Sequence, residues 1–149
     1  MELAYASNTP MDSLSAFDTK ATSSVIAALQ IEASADSPLK VLISKYAKFY
    51  NVPEALVHRV VHRESNYNPR AYNAGNYGLM HIRYNTARSL GYNGTPAGLL
   101  DAETNLRYAV KYLRGAWLVA DTNHDGAVRL YARGYYYDAK RKGLLNLVQ

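Results

Sequence analysis

Glu64 is the side chain in this sequence best placed to move a proton. Leu56, Val57, Val60 and Val61 precede it at helical spacing. Residues three and four positions apart share a helix face, so Glu64 projects from the edge of an apolar wall. A carboxyl group in such a place favours its neutral form, and its pKa rises. An acid kept protonated near neutral pH can hand a proton to a leaving oxygen. The plainer alternative is a glutamate at a helix end, paired with Arg63, Arg59 or the following loop, because structural ion pairs also perturb carboxylates. Cysteine is absent, which excludes a thiolate nucleophile, thiolate metal sites and disulfides.

Other constellations carry less chemistry. His58 and His62 stand four apart, the spacing of a zinc pair, but Arg59 occupies the place where the metalloprotease pattern needs glutamate. Asp121-Thr122-Asn123-His124-Asp125-Gly126 opens like a calcium-binding loop, yet its twelfth position is Ala132 instead of a bidentate glutamate. A helix–helix turn with an N-cap fits that segment better. Gly75-Asn76-Tyr77-Gly78 has neither the Lys-Ser/Thr pair nor the preceding strand of a phosphate loop. Lys140-Arg141-Lys142 reads as a solvated run on the last helix, with an anion contact as the alternative. No metal and no cofactor are expected.

The elements that must hold Glu64 are helices, and the expected fold class is all-α with little or no sheet. Ser37-Pro38 suits a helix start, and Leu39, Leu42, Tyr46, Phe49 and Tyr50 follow at helical spacing. Asn51 suits the left-handed ending of that helix, and Pro53 starts the one that bears Glu64. Residues 65–77 have loop chemistry throughout. A helix is expected over 78–90, stopped by Gly91. Asp101 then caps a long helix with an apolar stripe of Leu106, Ala109, Val110, Leu113 and Trp117. Further helices are expected over 125–133 and roughly 136–147. Residues 1–36, rich in Ala, Ser, Thr and Asp, read as a mobile acidic leader, and 37–149 as the catalytic domain. The leader lacks the pattern of an intact secretory signal, so either a signal was removed upstream or the protein is cytosolic; the expectation is a periplasmic, exported protein whose signal is absent from this chain.

Three stations resemble the SLT-type lytic transglycosylases, enzymes with a goose-lysozyme-like fold. They are Glu64-Ser65-Asn66-Tyr67-Asn68-Pro69, Gly78-Leu79-Met80-His81-Ile82 and Leu130-Tyr131-Ala132-Arg133-Gly134. That family reads Glu-Ser-x-aromatic-Asn-Pro, then Gly-Leu-Met-Gln, then Ala-Tyr-Asn-Ala-Gly. The resemblance runs from about Lys45 to about Tyr137 and takes in Ala55-Leu56-Val57, Asn105-Leu106 and Tyr112-Leu113.

The resemblance implies cleavage of the β-1,4 bond between N-acetylmuramic acid and N-acetylglucosamine in peptidoglycan. It implies that Glu64 protonates the glycosidic oxygen and that the muramic N-acetyl group supports the cationic carbon. Glu64 then takes the proton of the C6 hydroxyl, closing a 1,6-anhydro ring. The scheme needs one carboxylate, and the next acid after Glu64 is Asp101, 37 residues on. Asp101 and Glu103 read as helix-start acids. The resemblance further implies that Ser65 supports the glutamate or its loop, that Met80 lies beneath a sugar ring and that Tyr131 turns its hydroxyl to Glu64. The plain readings are a helix-end cap for Ser65, a core methionine and a core aromatic. Fourteen tyrosines and Trp117 suit a saccharide cleft.

The departures from the family pattern surround the expected cleft. His81 stands where glutamine is usual, and it can titrate where an amide cannot. Ala132 and Arg133 stand where Asn and Ala are usual. Asn73 sits where a cleft serine is common, and the loop from it to Gly78 is about one residue short.

Length and charge bound the rest. A chain of 149 residues, 48% hydrophobic, makes one ordinary domain, and no apolar run is long enough to span a membrane. Residues 37–149 carry sixteen bases and seven acids, a net +9, against −4 for residues 1–36. A basic domain attracts polyanions. No nucleic-acid recognition motif accompanies the charge, and the carboxylates of wall peptides are sufficient cause for it. The expected partner is the peptidoglycan glycan strand, met by a monomer, with an envelope-spanning assembly as a further candidate partner. Two rival functions share the scaffold: a hydrolytic muramidase, and a wall-binding module without activity.

Overall fold

The computed structural model describes residues 37–149, and the expected leader lies outside them. Residues 38–149 form one compact unit. Helix α1 (Pro38–Phe49) ends at Tyr50-Asn51, where Asn51 takes φ +55. Helix α2 (Glu54–Ser65) follows Pro53 and buries Leu56, Val57, Val60 and Val61. Three short strands come next: β1 (Tyr72–Asn73), β2 (Asn76–Tyr77) and β3 (Ile82–Arg83). Beyond them lie α3 (Tyr84–Ser89), a 3₁₀ turn (Pro96–Leu100), α4 (Ala102–Val119), α5 (His124–Arg133), α6 (Tyr136–Arg141) and α7 (Leu145–Val148). The fold is mostly helical with a very small sheet, in agreement with the expected class.

The eighteen-residue α4 is the axis of the unit. Its stripe of Leu106, Ala109, Val110, Leu113, Ala116 and Val119 is at most 1% exposed and packs against α1, α5 and α7. Each large apolar side chain so buried contributes roughly 1.5–3 kcal/mol. Local chemistry sets the helix starts. The Asp101 carboxylate accepts from the Thr104 amide at 3.0 Å, and the Asn123 side-chain oxygen accepts from the Gly126 amide at 2.7 Å. The segment 121–126 is therefore a capped turn between helices. Its acids are engaged elsewhere: Asp121 with Lys142 at 2.9 Å and Asp125 with Arg59 at 2.7 Å.

Three expectations are corrected. Within the loop 65–77, β1 and β2 pair antiparallel, Tyr72 opposite Tyr77 and Asn73 opposite Asn76, around Ala74 and Gly75, both at positive φ. Two-residue strands are too short to leave an alternating pattern. The helix expected over 78–90 is confined to Tyr84–Ser89. Gly78 (φ +76) and His81 (φ +48) are left-handed, and the Met80 amide donates to the Asn105 side chain instead of to a helix carbonyl. The helix expected over 136–147 breaks at Gly143 (φ +69), where an apolar pattern alone could not show the interruption.

Candidate active site

Glu64 stands in the last turn of α2, which Asn66 ends in a left-handed conformation, its amide donating to the His62 carbonyl. A helix C-terminus carries partial negative charge and disfavours a further anion there. The Glu64 side chain is 20% exposed. Burial pushes its carboxyl above the ordinary carboxylate range, while His81 and Arg63 pull it back.

A cleft of about 240 Å³ opens at this carboxyl group. One wall is Asn76, His81, Ile82, Arg83 and Thr86, from the sheet and α3; the other is Tyr112 of α4 with Tyr131, Ala132, Arg133 and Gly134 from the end of α5. Among the described residues Glu64 is the one carboxylate that lines it. Asp101 caps α4, and Glu103 is bound by Lys45 at 2.7 Å and the Tyr46 hydroxyl at 2.9 Å, so both take the structural roles expected of them.

His81 reaches Glu64 across the cleft floor, Nδ1 3.7 Å from Oε2. Its left-handed backbone, uncommon for a residue with a side chain, aims the imidazole. Asn105 fixes the segment that carries it. Fully buried, Asn105 donates from Nδ2 to the carbonyls of Tyr77 (2.7 Å) and Leu99 (2.9 Å) and accepts from the Met80 amide (3.0 Å). A Cβ at position 78 would collide with this amide and the Leu99 carbonyl, so both space and φ require glycine there.

The structure brings Glu64, His81 and Tyr131 together and separates them from the other expected residues. Met80 is fully buried in the core and does not line the cleft; its backbone serves the site instead. The Tyr131 hydroxyl donates to the Met80 carbonyl at 2.6 Å, which leaves it only lone pairs to offer Glu64. Burial, then the nearby Glu64 charge, holds its phenol well above the usual tyrosine range. Ser65 bonds back to the Val61 carbonyl at 3.3 Å, the helix-end reading. Asn73 is exposed on β1, and its neighbour across the hairpin, Asn76, enters the cleft in its place. Trp117 also stays out of the cleft, its indole N–H donating to the Thr122 carbonyl at 3.1 Å. His58 meets the Tyr67 hydroxyl at 2.8 Å and Glu54 at 3.5 Å. Among the described residues no group of three His, Asp or Glu side chains is placed to hold a metal ion, and no helix is long and apolar enough to cross a membrane.

Sequence reasoning missed Asn76, Arg83, Thr86 and Tyr112 as cleft residues and Asn105 as the clamp. The available signal for Asn105 was an uncharged polar side chain directly beside the apolar stripe of α4.

No solved structure gives a significant match to the chain. Residues 41–143 match the family described as the transglycosylase SLT domain, and that span includes Glu64, the clamp at Asn105 and both cleft walls. With well over half its length matched, the chain belongs to the transglycosylase SLT domain family, which implies glycosidase-type activity on peptidoglycan.

Proposed function

We infer that this protein is a peptidoglycan lytic transglycosylase with Glu64 as its single general acid and base. Glu64 protonates the oxygen joining N-acetylmuramic acid to N-acetylglucosamine. The muramic N-acetyl group supports the carbon left electron-poor. The ionised Glu64 then accepts the C6 hydroxyl proton as that oxygen closes the 1,6-anhydro ring, and Glu64 ends the cycle protonated again.

One observation carries this reading: among the described residues Glu64 is the single carboxyl group lining the cleft, and burial favours its protonated form. Two-carboxylate glycosidases need a second acid within about 5–10 Å, as nucleophile or as activator of water. This cleft lines its walls with amide, imidazole, phenol and guanidinium groups instead. A substrate that supplies its own nucleophile removes the need for the second acid. Tyr131 suits both halves of the cycle, since its high pKa keeps it neutral while Glu64 gains and loses charge. The place of action is the periplasmic wall.

The test is mass analysis of muropeptides released from purified sacculi. Products with 1,6-anhydro ends support the reading. Reducing ends, heavier by one water, would make the protein a muramidase, and wall binding without release would make it a binding module.

A further inference from the structure

Two arginines line the cleft without a part in the proton transfers. Arg83 lies on β3, exposed, and no hydrogen bond or ion pair engages its guanidinium among the described residues. Arg133 lies on the opposite wall, at the end of α5, with its side chain 65% exposed. Its Nη2 is 3.2 Å from one oxygen of Asp138, whose other oxygen is 2.5 Å from Arg141. One carboxylate thus serves two guanidinium groups, and positive charge is left over at the cleft mouth.

These cations have no evident use toward Glu64. The charges that act on its carboxyl are those of His81 and Arg63, and neither Arg83 nor Arg133 is among them. They meet what the sugars carry and not the bond that breaks. Along a glycan strand, the anionic substituents belong to muramic acid. Its lactyl arm ends in a carboxylate when bare, or in a stem peptide bearing carboxylates of its own. A guanidinium presents a planar fork that fits a carboxylate with two parallel hydrogen bonds, which an ammonium cannot match.

We propose that Arg83 and Arg133 read the carboxylate borne by muramic acid, one from each wall, and so select the strand and its register in the cleft. This rests on the peptidoglycan reading of the cleft and names the substituent that the cleft requires.

The test uses binding, so that it does not depend on cleavage. In the Glu64→Gln protein, affinity is measured for three preparations of glycan strands. The first carries intact stem peptides, the second is stripped to free lactyl carboxylates, and the third is stripped with those carboxylates converted to amides. The amidated strands should bind about tenfold more weakly than the better of the other two. The preferred preparation identifies the source of the carboxylate. The preference should vanish in a protein that also carries Arg83→Gln and Arg133→Gln, and Arg83→Lys should restore only part of it. Equal binding of all three preparations, or a preference that survives the double arginine change, overturns the proposal. Digestion of the same strands by the protein with Glu64 intact reports the reaction separately. Lost cleavage with a kept preference refutes the lytic reading and leaves the arginine pair standing.

Discussion

The Tyr131 hydroxyl donates to the backbone carbonyl of Met80 at 2.6 Å across 51 residues of sequence. This bond joins the end of α5 to the left-handed segment that presents His81, so the two cleft walls are tied at their base. It also spends the only proton of the phenol, which leaves Tyr131 an acceptor toward Glu64 and suits an acid that begins the cycle protonated.

Removing that hydroxyl tests the tie. Tyr131→Phe leaves the Met80 carbonyl buried and unpaired, and should cost about 1–3 kcal/mol in urea unfolding. Activity should fall further than the stability loss explains, because His81 and Glu64 lose their common frame. Unchanged turnover in a fully folded variant would show that the bond serves stability alone.

Glu64→Gln should keep the helical circular dichroism spectrum and lower muropeptide release by about 10³-fold, the scale of a lost general acid. Release of anhydro products at the wild-type rate would refute the assigned mechanism.

The same substitution carries a stability signature. Burial raises the folded-state pKa of Glu64 above its unfolded value. Its contribution is therefore full below the unfolded pKa and is lost as pH rises through the folded one. Glu64→Gln should accordingly melt higher than the wild type at neutral pH, and the difference should shrink below about pH 4, where both forms are neutral. A melting-temperature difference that does not vary with pH would contradict the buried-acid account.

The pH profile should respond to His81. In the proposed mechanism proton donation needs a neutral Glu64, so turnover should fall as pH rises through its pKa. The imidazole favours the ionised carboxylate. His81→Gln removes that charge and should move the alkaline limb to higher pH. Movement to lower pH, or none, would show that the 3.7 Å approach has no electrostatic effect.

Asn105→Asp replaces two donated hydrogen bonds with an oxygen facing the Tyr77 and Leu99 carbonyls. A cost of about 2–4 kcal/mol in denaturant unfolding is expected. Little change would show that the clamp can be rebuilt around a carboxyl group.

Residues 37–149 carry a net +9, and activity on sacculi should fall steadily with added salt as screening weakens capture of an anionic polymer. A flat profile would separate the basic surface from substrate capture.

What could be read along the chain was whatever depends on near neighbours. The apolar face before Glu64, the caps at Asp101 and Asn123, the left-handed Asn51 and the stop at Gly91 all follow from residue types within one helical turn. The order of the three stations also marked the family. The cleft's membership could not be read that way, because packing decides it. Met80 is buried because Asn105, 25 residues away, takes its amide and Tyr131 takes its carbonyl. Asn76 replaces Asn73 in the cleft because a two-residue hairpin turn reverses the chain between them. Arg83 and Arg133, fifty positions apart in sequence, line one cleft because the fold brings β3 and the end of α5 to the same opening. Spacing specifies which residues share a face; the meeting of two faces is set by the burial of the core between them.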